Sequence, residues 1–412
     1  MDFLQEEITT IHNFCLDTEK MEQKMVDLTV TRPVTLVLPI LYKEIKNDPL
    51  YDIVLNLNRC SFIKKIIIPL AAETGEEYTE VIDFFKFLEV PHIVIWCNGP
   101  RIEAIIDDMK EKDLDITSFK GKGRDVWIAI GVASLNSYAI AFHDADIVNY
   151  SKSYPVRLLY PIVDPELDFF FNKGYYARIG IDTKIMYGRV YRLFVRPLIE
   201  ALRVEVGYNS SILQYMQAFR YLLSGEFAMT TDMAINIRIP GDWGLEVGIL
   251  AEIYRNTTSK RICQIDLDFY EHKHQKLGQS SQEGLCKMAH DILTTFLRVI
   301  TESTNGSCRE ISSPFLHSVT VKYKRMAQDL IRQYHADALC NGISYNRHKE
   351  ERYVDIFADI IMSGGEQYLE EPENVLLPDW KRALSAIPNI RTKIQEAALE
   401  DMNEYKANSN NL

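Results

Sequence analysis

The sequence predicts an α/β protein: a mostly parallel sheet flanked by helices, followed by a helical C-terminal region. Three observations carry that prediction. Short β-branched runs at residues 34–39, 65–70, 92–97 and 138–143 alternate with amphipathic stretches such as EEYTEVIDFFKFLE and RDVWIAIGVASLNS. The strand runs are near-continuous apolar stretches rather than alternating ones, as expected of strands covered on both faces. From Gln282 onward strand signals fade and helical periodicity takes over, in CKMAHDILTTFLRVI, VTVKYKRMAQDLIRQYHADAL and WKRALSAIPNIRTKIQEAALEDMNEY.

Taken in order, residues 1–30 read as a helical arm, and the regular strand and helix alternation runs from Thr31 to about residue 160. Strand-like LDFFFNKGYY (167–176), helix-like GRVYRLFVRPLIEAL (188–202), strand-like EFAMT (226–230) and strand-like RICQIDLDFYEH (261–272) follow. A boundary is expected near residue 280, leaving 281–412 as the helical region with a polar tail, NSNNL. No internal repeat or low-complexity block interrupts this order.

Composition narrows the function. Of 412 residues, 47% are hydrophobic and 25% charged, which is the balance of an ordinary globular chain. The net charge of −12 argues against nucleic acid as a partner, because neutralising phosphates needs clustered Lys and Arg. Apolar runs such as 34–41 stop well short of the ~20 residues a bilayer span needs, so no membrane partner is expected. The acidic start, MDFLQEEITT, is unlike a basic secretory leader and points to a cytoplasmic protein. Seven cysteines are scattered without C-x-x-C spacing, which supports neither a disulfide framework nor a zinc ribbon.

Four short motifs carry chemistry. The first is FHDADIV, where Asp144 and Asp146 stand one residue apart at the end of an apolar strand. Like charges so close are costly unless a cation lies between them, and Mg²⁺ or Mn²⁺ held by one or two carboxylates keeps positions open for phosphate oxygens. A turn would use the same residues, since Asp favours strand-to-loop positions. The second is Lys120-Gly121-Lys122-Gly123, which opens a predicted helix but lacks the residues of a Walker A loop or a dinucleotide fingerprint. Its open N–H groups and Lys122 suit an anion, and a plain turn is the alternative. The third is Tyr187-Gly188-Arg189-Val190, with Arg178 upstream, where a guanidinium beside a glycine at a helix start can bind phosphate or carboxylate. The fourth is Glu271-His272-Lys273-His274, whose imidazoles share a strand face and would add a neutral ligand to a carboxylate metal site.

These motifs fall into a longer series: Pro39 to Glu44 after the first strand, G-K-G, D-x-D, G-R-V…R-P-L (188–198), S-G-E-x-A (224–228), W-G-x-E-x-G-x-L (243–250) and Q-x-D-L…E-H (264–272). The series resembles the glucosyl-3-phosphoglycerate synthases, retaining glycosyltransferases of the nucleotide-diphospho-sugar transferase (GT-A) fold, over about residues 30 to 280. The resemblance implies a catalytic domain at 31–280, with a nucleotide-sugar half at about 31–150 and an acceptor half at about 151–280. It implies that Asp146 and His272 hold a divalent metal, with Asp144, Asp146 and Glu246 as the catalytic set and Glu246 in the sugar pocket. Pro39, Ile40, Leu41, Glu44, Lys122, Asp144, Ala145 and Asp146 would line the nucleotide-sugar site. Gly188, Arg189, Val190, Tyr191 and His274 would meet the acceptor.

The implied reaction moves glucose from an NDP-glucose, UDP- or GDP-linked, to the 2-hydroxyl of 3-phosphoglycerate, a step towards the compatible solute glucosylglycerate. A homodimer is expected from the long amphipathic helices. Alternatives on the same scaffold are a mannosyl donor or a glycerate acceptor, and outside catalysis a nucleotide-sugar-binding regulator. Three departures bear on these choices. Tyr42-Lys43 and Pro69-Leu70-Ala71-Ala72 replace the family's usual residues near the base, and Tyr191 stands where a threonine follows G-R-V.

Overall fold

The computed structural model describes residues 3–180, 182–271, 284–303, 310–372 and 376–409. The apolar runs become strands: β1 (Thr9–Ile11), β2 (Val34–Val37), β3 (Ile40–Leu41), β4 (Ile63–Ala71), β5 (His92–Trp96), β6 (Ala139–Phe142), β7 (Phe171–Ala177), β8 (Ile179–Gly180), β9 (Ile185–Met186), β10 (Phe227–Thr230) and β11 (Ile262–Phe269). Nine of them form one sheet in the order β1-β11-β7-β10-β6-β2-β4, with β3 and β5 both paired to β4. Every pairing in this sheet is parallel except those of β10, which runs antiparallel between β6 and β7.

That single reversal decides what meets at the site. In parallel strands the carboxyl ends share one edge, so the chain leaves β2, β6, β7 and β11 there, while β10 enters from the same edge. Phe227 of β10 pairs with Phe142 of β6 and with Lys173 of β7. The residues just before β10, Gly225 and Glu226, therefore lie beside the D-x-D that follows β6.

Residues 1–30 are not solely the helical arm expected. Thr9–Ile11 adds β1 to the edge of the sheet against β11, and only then does the Thr18–Thr31 helix begin, with Asp17 accepting from Lys20 N–H as its cap. A three-residue strand has too few positions to show a period, and its partner lies some 250 residues away.

The Gly188 to Leu202 stretch starts with a wide π-helical turn at Val190–Val195 before the Arg196–Val206 helix. Pro197 supplies the reason: it has no N–H to donate, and its ring crowds the preceding turn, so the backbone widens there.

The C-terminal helices join the same hydrophobic core as the sheet, which extends from Ile8 to Met402. Trp380 stacks on Trp127 with centroids 4.1 Å apart, and the indole N–H groups donate to Trp127 and Pro378 carbonyls. Gly131 makes the room, since a Cβ there would come within 2.3 Å of the Trp380 ring. The Ile390–Ser409 helix covers β5, where Met402 Sδ accepts from Val94 N–H. Residue 280, the expected boundary, lies within 272–283, outside the described residues.

Candidate active site

β6 is completely apolar and buried, so the first polar side chains the chain can expose are those just past its end. His143 is still inside, where burial pushes its pKa down to about 3 and keeps the ring neutral. Asp144 comes next. Its N–H donates to Glu226 Oε1 at 3.3 Å, and its Oδ1 accepts from Lys122 Nζ at 2.8 Å. Lys122 also reaches Glu246 Oε1 at 3.4 Å. Burial disfavours this ammonium, but Asp144 and Glu246 more than compensate and hold it protonated.

Lys122 is placed by its neighbours. It opens the Lys122–Ala133 helix, with Gly121 as cap at φ +102°, a left-handed conformation that glycine adopts at no steric cost. The pocket beyond the ends of β2 and β6 is lined by Pro39, Lys122, Phe142, Asp144, Gly225 and Glu246. A Cβ on Gly225 would fall 2.3 Å from Asp144 Oδ2, so the glycine leaves room for the carboxylate where it lies.

Negative charge accumulates around this pocket. Burial, with Asp146 and Asp144 adding repulsion, pushes Glu44 up to about 7, even though its carboxylate accepts from Leu41 N–H at 2.8 Å. Burial and the charge of Asp144 push the fully buried Glu226 up to about 8, and Tyr270 O–H donates to it at 3.2 Å. Lys173, also fully buried, is brought down to about 8 by desolvation. Its Nζ donates to the Ser224 carbonyl at 2.8 Å and sits over the Phe227 ring.

A set of aromatic rings links this pocket to the acceptor-side loop. Tyr270 stacks on Tyr176 at 4.0 Å, Tyr176 packs on Tyr221, and Tyr221 accepts from Arg178 Nη1 at 3.0 Å. Gly188 lies against both Tyr221 and Arg178, with φ +72°. Arg189 then starts the π-helical turn, and its Nη1 donates to Tyr353 Oη at 2.9 Å.

The structure thus brings together Pro39, Glu44, Lys122, Asp144, Asp146 and Glu246. Ile40 and Ala145 are buried, while Leu41 is 46% exposed and contributes its N–H to Glu44. On the acceptor side the side chains of Val190 and Tyr191 are buried, and Tyr191 O–H donates to the Phe219 carbonyl at 3.3 Å. His272 and His274 lie outside the described residues.

Sequence reasoning did not assign Glu226, Lys173, Gly225 or Tyr270 to the site. The available signal was charge inside apolar runs: Lys173 in DFFFNKGYY and Glu226 in GEFAMT.

Among the described residues no group of three or more His, Cys, Asp or Glu side chains forms a metal cage. An ion held by one or two carboxylates, with its other positions left to phosphate oxygens and water, does not need one. Asp144 and Asp146, whose charges add to the rise at Glu44, are the carboxylates that fit such an ion.

No family model matches the chain. It is 60% identical over 405 residues to the glucosyl-3-phosphoglycerate synthase of Methanococcoides burtonii, covering 98% of this chain and 99% of that protein. It is 41% identical over 406 residues to the enzyme of the same name from Persephonella marina, covering 97% and 98%. The glucosyl-3-phosphoglycerate synthase of Mycobacterium tuberculosis, in a crystal structure with Mn²⁺, UDP-glucose and phosphoglyceric acid, superposes with a TM-score of 0.54 at 20% identity. That superposition covers 73% of this chain and 90% of the other, and it establishes the fold as GT-A. With two relatives matched over nearly their whole length, the chain belongs to the glucosyl-3-phosphoglycerate synthase family.

Proposed function

We propose that this chain transfers glucose from an NDP-glucose to the 2-hydroxyl of 3-phosphoglycerate with retention, using a divalent metal. The observation that carries the reading is the acidic strand end at Asp144 and Asp146, braced by Lys122 and linked through stacked tyrosines to Gly188 and Arg189. Asp146, with His272 as the second ligand that the resemblance implies, would hold a Mn²⁺ or Mg²⁺, which would supply charge stabilisation for the departing diphosphate.

The chain's own groups do the rest. Lys122 holds Asp144 and Glu246 in fixed positions from between them. Glu226 fixes the Asp144 backbone and the Tyr270 ring, so the donor edge is organised before substrate arrives. Glu246, buried and facing the pocket, is placed to accept from sugar hydroxyls. Arg189 takes the acceptor's phosphate and brings its 2-hydroxyl to the anomeric carbon. The bond from that carbon to the diphosphate oxygen breaks as the new glycosidic bond forms on the same face. The hydroxyl proton leaves with the diphosphate.

No helix among the described residues is long and apolar enough to cross a membrane. We place the enzyme in the cytoplasm, where nucleotide sugars and 3-phosphoglycerate occur together, and as a homodimer through its long helices.

The test is a matrix of UDP-glucose, GDP-glucose and GDP-mannose against 3-phosphoglycerate and glycerate, with Mg²⁺ or Mn²⁺, reading nucleoside diphosphate release. Turnover is expected with a glucose donor and 3-phosphoglycerate. Turnover that requires GDP-mannose would establish the mannosyl alternative, and binding without turnover would establish a regulator. Charge-assisted bonds contribute about 1.5–3 kcal/mol, so Arg189→Ala should lower kcat/KM for 3-phosphoglycerate roughly ten- to hundred-fold. Equal losses with glycerate would make Arg189 structural.

A further inference from the structure

Among the described residues, the helical region after residue 284 supplies no group to the lining of the donor pocket, yet it holds the acceptor-side loop at three points. Ser344 N–H donates to the Lys184 carbonyl at 2.7 Å, so the 341–346 turn adds a rung beside the β8–β9 hairpin. Arg192, one turn beyond Arg189, gives two guanidinium nitrogens to Glu350 at 2.8 and 2.9 Å and its Nε to the Tyr187 carbonyl at 2.8 Å. Arg189 Nη1 donates to Tyr353 Oη at 2.9 Å, and its guanidinium carbon stands 5.2 Å from the centre of that ring. Glu350 and Tyr353 are three apart on the Arg347–Glu370 helix, the spacing that puts two side chains on one helical face. One face of one distant helix therefore grips both arginines of the loop.

The two grips differ in kind. Arg192 and Glu350 are both buried, form a bidentate pair and leave no route to a ligand, so this contact fixes the backbone between Met186 and Val195. Arg189 and Tyr353 are half-buried, and the hydroxyl and ring of Tyr353 both bear on the guanidinium. Such a contact can fix the plane of the guanidinium.

We propose that Tyr353 is a positioning residue of the acceptor site: its hydroxyl and ring set the orientation of Arg189, so the guanidinium meets the acceptor's phosphate already aligned. The inference rests on the reading of Arg189 as the phosphate-binding residue. It gives the C-terminal region a task in the reaction, since Glu350 and Tyr353 together carry the geometry of a loop that lies some 160 residues earlier. An arginine held in advance loses less conformational freedom on binding, and that gain appears in the acceptor's KM rather than in the chemical step.

The experiment is steady-state kinetics of Tyr353→Phe, which keeps the ring and removes the hydroxyl, with the melting temperature measured alongside. The expected result is a KM for 3-phosphoglycerate raised about three- to ten-fold, with kcat within about two-fold, the donor KM unchanged and the melting temperature unmoved. Tyr353→Leu, which also removes the ring, should raise the KM further. In an Arg189→Ala background the effect of Tyr353→Phe should vanish, because the group it orients is gone. An unchanged or lowered acceptor KM in Tyr353→Phe overturns the proposal, as does a full effect persisting in the Arg189→Ala background. If Arg189→Ala by itself leaves the acceptor KM unchanged, the phosphate reading of Arg189 fails first, and that result is separate from failure of Tyr353 alone.

Discussion

The two sides of the cleft are made in different ways. On the donor side, Asp144, Asp146, Glu226 and Gly225 are strand-end residues of one sheet, and their positions follow from register: Phe142 opposite Phe227 brings Gly225 against the Asp144 carboxylate. On the acceptor side, Arg189 and Arg192 sit on the widened helical turn that follows a two-strand hairpin, held by Glu350 and Tyr353 from a helix far along the chain. The donor side also concentrates buried acids, with Glu44, Glu226 and Asp125 all pushed above the usual carboxylate range by burial. The acceptor side matches its buried carboxylate, Glu350, to a guanidinium. A sheet edge can hold like charges close together because its backbone hardly moves. A loop has no such rigidity and borrows it from another element.

The largest effect should come from disturbing the donor edge. Asp146→Ala should reduce turnover about a thousandfold or more, and chelation of the metal should do the same reversibly. Gly225→Ala changes no charge, yet it should approach the same loss, because its methyl must displace the Asp144 carboxylate. Assays of both variants, with folding checked by circular dichroism, test this. Near-normal turnover of Gly225→Ala would mean that the strand-end geometry tolerates movement and that the donor edge is not the rigid half of the cleft.

A smaller and more selective effect is expected from the loop's support. Glu350→Ala leaves the Arg192 guanidinium buried without its carboxylate, which costs about 3–5 kcal/mol in comparable buried pairs. The melting temperature should fall, and the KM for 3-phosphoglycerate should rise about ten-fold at temperatures where the variant remains folded. The donor KM should stay as it was. A parallel rise in both KM values would show that the two sides of the cleft behave as a single unit.

The same contrast explains what could be read in the sequence. The strands, the D-x-D and Lys122 announce themselves locally, as an apolar run that stops at a charge or a glycine pair at a helix start. Each has its cause in its immediate sequence neighbours. Glu226 and Lys173 were visible as charges in apolar runs, but their meeting depends on β10 running against its neighbours, which no local pattern states. Arg189 and Arg192 were visible, but Tyr353 and Glu350 were not, since nothing in RHKEERYVDIF distinguishes a solvated helical face from one that grips a loop. The short β1 and the wide turn before Pro197 escaped for a simpler reason. One is too short to show a period, and the other keeps a helical pattern while changing the backbone.

The smallest effect expected is a pH dependence of stability that belongs to the donor side alone. Asp125 lies buried in the first turn of the Lys122–Ala133 helix, and burial, reduced by Arg124 and the Cys97 thiol, leaves it at about 6 against an ordinary 3.8. Because the folded pKa is raised, the folded state binds more protons than the unfolded one between those values. Asp125 therefore favours folding most at low pH, and that contribution declines as pH rises from about 4 to about 6, then stays level. Asp125→Asn removes the titration and keeps the shape. The variant's melting temperature, relative to the parent, should be a few degrees more favourable at pH 7.5 than at pH 4, since a tenfold difference in proton affinity between the folded and unfolded states is worth about 1.4 kcal/mol. A difference between variant and parent that is the same at both pH values would show that Asp125 is compensated in the fold, as Glu350 is by Arg192, and the excess of buried acid on the donor side would then be confined to the strand ends that face the metal.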